Sequence, residues 1–67
     1  MELYDYAAKE LSVYYEVKIF RISGIKSHYF DNKNEAIEFF QRMNLDMSDC
    51  VIQHIDHGNG EIISVVV

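Results

Sequence analysis

Sixty-seven residues leave room for one domain, 1–67, with one small core, near the lower limit for folding without a staple. Six basic against eleven acidic residues, a net charge of -5, exclude direct gripping of a phosphate backbone, which needs clustered Lys and Arg. A single Cys50 excludes an intrachain disulfide, the Cys and His spacing fits no structural zinc pattern, and no apolar run reaches membrane-spanning length, so a cytoplasmic, reducing setting without membrane or cofactor is expected.

The opening "MELYDYAAKEL" places Leu3, Ala7 and Leu11 at i, i+4 and i+8, the spacing of a short amphipathic helix. From "SVYYEVKIFRI" the period becomes two. Val13, Tyr15, Val17 and Ile19 alternate with Tyr14, Glu16, Lys18 and Phe20, which predicts a long strand. Ser23-Gly24 supplies a two-residue turn, and "IKSHYF" returns as a second strand.

In "NKNEAIEFFQRMN", Asn32 and Glu35 have the spacing of a capping box. Ala36, Phe40 and Met43 form the helical stripe, with Ile37 and Phe39 on its flanks, so Phe40 is expected against Val17 and Ile19. Asn44 suits a left-handed helix end, with Leu45 closing an apolar contact after it. "LDMSD" is a connector. "CVIQHID", a Gly58-Asn59-Gly60 corner and "EIISVVV" make a second hairpin.

The expected fold is α+β: a four-stranded antiparallel sheet in the order ββαββ, with a short helix in front and one helix packed on one face. Short, uncrossed connections give spatial strand order 2-1-3-4. A three-residue corner with Gly60 in the left-handed position sets His54 opposite Ser64, Ile55 opposite Ile63 and Asp56 opposite Ile62. One face then holds Val51, Ile55, Ile63, Val65 and Val67. The other holds Ile52, His54, Asp56, Ile62, Ser64 and Val66.

"HIDHGNG", residues 54–60, is the densest group of potential ligands. The strand period sets His54 and Asp56 on one face and turns His57 away, leaving two ligands where zinc takes three or four. His28 on the first hairpin is the nearest source of a third. Cys50 and His54 are a nucleophile and a base only in composition, because i and i+4 in a strand lie about 13 Å apart. Glu35 and Glu38 sit on the wet side of the helix, and no glycine-rich phosphate loop is present. No catalytic, cofactor or metal residue is assigned.

Five tyrosines in so short a chain are the more informative feature. Tyr14 and Tyr29 share with Glu16 and Lys18 the sheet face turned away from the helix. Ordinary cross-strand pairing explains them. Tyr is also enriched at interface hot spots, so Tyr14, Glu16 and Tyr29 are the candidate protein-binding residues. The acidic balance fits a partner with a basic surface. It does not supply the dense acidic rows of a DNA imitator.

The segment "YYEVKIFRISGIKSHYFDNKNEAIEFF" is similar in element order to the front of many small ββα proteins, including HicB-type antitoxins and small phage-encoded proteins. It covers less than half of the chain and lacks the Pro-Gly segment usual between hairpin and helix in HicB-like domains. No antitoxin function or residue follows from it.

The expected function is that of a small acidic, non-catalytic protein-binding module, an inhibitor or regulator of another protein; a phage-type antagonist of a host enzyme would have this size. A structural subunit that self-associates is the first alternative, because "EIISVVV" would lie at the sheet edge with one charge and no Pro, open to pairing as a homodimer. A small metal-dependent or nucleic-acid-processing enzyme using His54, Asp56 and His57 is the second.

Overall fold

A computed structural model describes residues 2–66. The elements are β1 (Glu2–Leu3), α1 (Asp5–Glu10), β2 (Val13–Arg21), β3 (Gly24–Phe30), α2 (Lys33–Arg42), β4 (Cys50–Asp56) and β5 (Glu61–Ser64). All five strands form one antiparallel sheet in the order β1-β3-β2-β4-β5. The fold is α+β, with one strand more than the four expected. The added strand is β1, two residues that pair Glu2 with Phe30 and Leu3 with Tyr29. Removing it leaves β3-β2-β4-β5, the order that short antiparallel connections favour.

The strand period sends alternate residues to opposite faces. Val17 and Ile19 of β2, Phe30 of β3, and Cys50 and Ile52 of β4 form the main core under α2, joined by Val65. Ala36 and Phe39 are the buried residues of the helix, while Phe40 and Leu45 pack at the margin. The helix is therefore turned toward Phe39 rather than Phe40, and Met43 is exposed. Four neighbouring apolar positions made either rotation compatible with the pattern. Phe30 and the ring of His28 decide it, both packed at a tilt against Phe39 with centroids 5.3 and 4.5 Å away.

The cap residues of α2 are those the sequence specifies, with the Asn32 half of the expected capping box in place. Asn32 Oδ1 accepts from the amides of Asn34 (2.8 Å) and Glu35 (3.3 Å), satisfying two donors that the first turn leaves free. At the other end Asn44 adopts a φ of 57°. The Leu45 amide donates to Phe40 O and the Asn44 amide to Gln41 O, the paired bonds of a Schellman motif.

The second face carries α1. Ala8, Tyr14 and Ile55 are buried together there, with Leu3 and Tyr29 beside them. The spacing of Leu3, Ala7 and Leu11 suggested a different arrangement. Leu3 belongs to a strand, Leu11 ends the helix exposed, and Ala8 is the residue that docks. A six-residue helix is too short for periodicity to fix its inner face.

Both hairpins differ in register from expectation. In the first, Arg21 pairs with Gly24, so the turn residues are Ile22 and Ser23, and Gly24 supplies the left-handed conformation at φ 132°. This shift changes pairing by two residues and keeps every side chain on its face. In the second, Asp56 pairs with Glu61 and His54 with Ile63, so the connection is His57–Gly60 rather than three residues. Gly60 takes the left-handed position at φ 69°. A slip of one residue exchanges the faces of β5. Ile63 and Val65 join the face of His54 and Ile52, and Ile62 joins that of Ile55. Val67, also assigned a face from the sequence, lies outside the described residues.

Three hydrogen bonds hold the longer connection. Asp56 accepts from Asn59 at the amide (3.2 Å) and at Nδ2 (2.8 Å), and the His57 amide donates to Ser12 O (2.8 Å), extending the β2–β4 ladder past Asp56. The Asn59 side-chain and backbone bonds hold the Asp56 carboxyl below its ordinary pKa. A carboxyl lowered on folding stabilises the fold above its unfolded pKa and loses that contribution as pH falls through the folded one. Stability should thus decline below about pH 4. Asp56→Asn should lower the melting temperature at neutral pH by a few degrees and flatten the acid limb of a melting-temperature titration. An unchanged limb would remove Asp56 from the account.

Candidate protein interface

Each potential ligand in the His54–His57 stretch has its own neighbour. His54 lies on the α2 face beside the Tyr15 ring, with centroids 4.8 Å apart. Asp56 is engaged by Asn59. His57 reaches the second face, where its Nε2 is 3.1 Å from the Tyr14 hydroxyl. His28 pairs with Glu2 across β3 and β1, Nδ1 to Oε2 2.7 Å. Among the described residues no three His, Cys, Asp or Glu side chains converge on a point that could hold a metal ion. Burial pushes the Cys50 thiol up, away from the thiolate a nucleophile requires.

Tyr14, Glu16 and Tyr29 do share the face opposite α2, and Glu16 pairs across the strands with Tyr29. Their exposure is another matter. Tyr14 is 3% exposed and Glu16 7%, and Tyr29 is half-buried, in the region where α1 lies on the sheet. Tyr14 and Tyr29 meet edge to face at 5.9 Å. Burial, followed by the Glu16 charge, raises both phenol pKa values, so the rings stay neutral. This cluster is the seat of α1. A partner reaches little of Tyr14 or Glu16 while that helix is docked.

Among the described residues no helix packs on the rest of the second face. From Glu16 toward the β2–β3 turn it presents Lys18 and Phe20 of β2, Ile25 and Ser27 of β3, and Val51 and Gln53 of β4. Gln53 Oε1 is buried there without a hydrogen-bond partner among the described residues. Phe20 and Ile25 are directly opposite one another and both exposed, and Ile22 at the turn is fully exposed. Three large apolar side chains on one hairpin end exceed the scattered single exposures normal for a surface.

Charge is distributed unevenly around this end. Between Glu16 and Asp31 the chain carries Lys18, Arg21 and Lys26 and no acid. The even-odd alternation puts Lys18 on the face of Phe20, and Arg21 and Lys26 on the other. Asp49, before β4, comes alongside, its carbonyl accepting from the Phe20 amide at 2.8 Å, whereas the acids of β1, α1 and α2, and Asp56 and Glu61 beside the β4–β5 connection, lie in other parts of the fold. The hairpin end is thus an apolar wedge with three basic residues around it and Asp49 beside Phe20, on an acidic body.

Sequence reading missed this patch because Phe20 follows the alternation of the wet face and counts there as one exposed residue. The signal was available: Phe20, Ile22 and Ile25 straddle a turn, where no second layer can cover them. No family model, curated protein or solved structure matches the chain. No helix among the described residues is long and apolar enough to cross a membrane.

Proposed function

We infer that this chain is a non-catalytic binding module that acts on another protein, as its inhibitor or regulator. The supporting observation is the exposed apolar end of the β2–β3 hairpin, Phe20, Ile22 and Ile25. Interfaces draw most of their energy from a few apolar or aromatic anchors that enter a partner's pocket, with polar groups at the rim. A rigid hairpin with Ile22 at its apex and Lys18, Arg21 and Lys26 around it has that form. The complementary site is an apolar groove rimmed by carboxylates. The net charge of -5 suggested a basic partner surface instead; such a surface would meet the acidic body, while the anchor itself is bordered by bases.

The immobilised chain should retain one stoichiometric foreign protein from a lysate of the cells in which it is made. Ile22→Asp should weaken that capture at least tenfold without changing the melting temperature, since Ile22 makes no core contact. Added salt should slow association, because charge steering is screened beyond about 8–10 Å at ordinary ionic strength. Retention indifferent to Ile22→Asp would discard the hairpin as the binding element.

A further inference from the structure

We propose that two copies of the chain pair through β5, antiparallel about a two-fold axis that passes beside Ile63, to form one continuous ten-stranded sheet. The argument starts from the direction of the backbone groups. The Val65 amide donates to Ile52 O at 2.8 Å, and the β4–β5 register makes Ile52 and Val65 opposite residues. Antiparallel ladders alternate between bonded and non-bonded pairs, so residues 61, 63 and 65 direct their amides and carbonyls at β4. Ile62 and Ser64 direct theirs outward, where the sheet ends.

This edge lacks the usual protection. Exposed edges are blunted by Lys, Pro, bulges or extreme shortness. The opposite edge of the sheet has such devices: β1 is two residues long, and the stretch of β3 beyond it contains Lys26. Strand β5 is Glu61-Ile62-Ile63-Ser64, without Lys or Pro, and its two isoleucines are 65% and 51% exposed, one on each face. Any pairing chain would satisfy the backbone. The side chains select a second copy.

A two-fold axis normal to the sheet keeps the α2 faces of both copies on the same side. Opposite residues then share a face, so the sum of their numbers must be even. Centring on Ile63 sets Ile63 against Ile63, Ile62 against Ser64 and Glu61 against Val65. The outward groups of Ile62 and Ser64 in each copy then exchange about four backbone hydrogen bonds across the seam. Centring on Ile62 also meets the parity rule, but it brings the two Glu61 carboxylates within two residue steps on one face. Centring on Ile63 separates them by four steps, about 13 Å, where screening removes most of the repulsion. On the α2 face the row Tyr15–His54–Ile63 continues into its own copy across the axis.

The pairing does not use the surface that supports the proposed function. In the paired sheet the two β2–β3 turns point to opposite ends, away from the seam, because corresponding strands of the two copies run in opposite directions. A dimer would display two hairpin ends.

Sedimentation equilibrium of the full chain should show a dimer at micromolar concentration. Ser64→Pro removes an outward amide that the β4–β5 ladder does not use, so it should give a folded monomer whose melting temperature no longer depends on concentration. Ile63→Cys should form an intersubunit disulfide on mild oxidation, since opposite non-bonded residues have Cα atoms about 4.5 Å apart, within disulfide reach. Ile62→Cys, whose counterpart is Ser64, should cross-link at least tenfold less. A monomer at every concentration up to millimolar overturns the proposal. So does a dimer that survives Ser64→Pro, or one in which Ile62→Cys cross-links as well as Ile63→Cys. The two readings fail separately: Ile22-dependent capture by a parent chain that proves monomeric leaves the functional reading standing, and a dimer that captures no foreign protein leaves the pairing standing.

Discussion

Phe39→Ala is expected to cost about 3–5 kcal/mol, the range for removing a buried aromatic ring and a large share of what so small a fold can have. Stabilities of roughly 0.05–0.15 kcal/mol per residue put a chain of this length at about 3–10 kcal/mol in total. Phe39 is 5% exposed and touches the rings of Phe30 and His28. Arg42 lies over its outer side, 5.9 Å from the centroid. The ring is the main wedge between α2 and the sheet, and neighbouring strands cannot collapse into the space it leaves because their ladders fix their separation. Phe40, at the margin of the same cluster, should cost distinctly less on truncation. Urea unfolding of both variants distinguishes the two residues. Equal losses, or a larger loss at Phe40, would mean that the helix is rotated from its described orientation.

That pair of residues also marks where sequence reading ends. The α2 boundaries were legible because they rest on local chemistry: Asn32 accepts from first-turn amides and Asn44 tolerates a positive φ. The four longer strands were legible from alternation and their order from the economy of short connections, but the two-residue β1 was not. Rotation of α2 was not, because Ala36, Ile37, Phe39 and Phe40 are all apolar and the facing surface chooses among them. Hairpin register was only half legible. Gly60 was identifiable as the left-handed residue, but the number of turn residues depended on the Asp56–Asn59 bonds and on the His57 amide finding Ser12 O. The candidate interface shows the same division. The shared face of Tyr14, Glu16 and Tyr29 follows from period two; their burial follows from where α1 docks, which six residues do not disclose.

Tyr14→Ala tests that docking and should cost about 3–5 kcal/mol, comparable to the loss at Phe39, but with a different local signature. Isolated helices shorter than about 12–15 residues do not hold in water, so the six residues of α1 depend on the surface beneath them. That surface is Tyr14 and Ile55 against Ala8, edged by Leu3 and Tyr29. Without the Tyr14 ring, Ala8 has no wall on one side and Tyr29 loses its edge-to-face neighbour. The amides of Ala8 and Leu11, which donate to Tyr4 O and Ala8 O, should then exchange with solvent well ahead of those of β2. Tyr14→Phe separates the ring from its hydroxyl: losing the 3.1 Å contact with His57 should cost only about 0.5–1.5 kcal/mol and leave α1 docked. The alkaline limb supplies a further check. A phenol whose pKa is raised on folding binds its proton more tightly in the folded state, so stability falls as pH rises past about 10, the unfolded value. Tyr14→Phe should shallow that decline, with Tyr29 accounting for what remains. If Ala8 and Leu11 in Tyr14→Ala stay as protected relative to β2 as in the parent chain, α1 is held by something other than this ring.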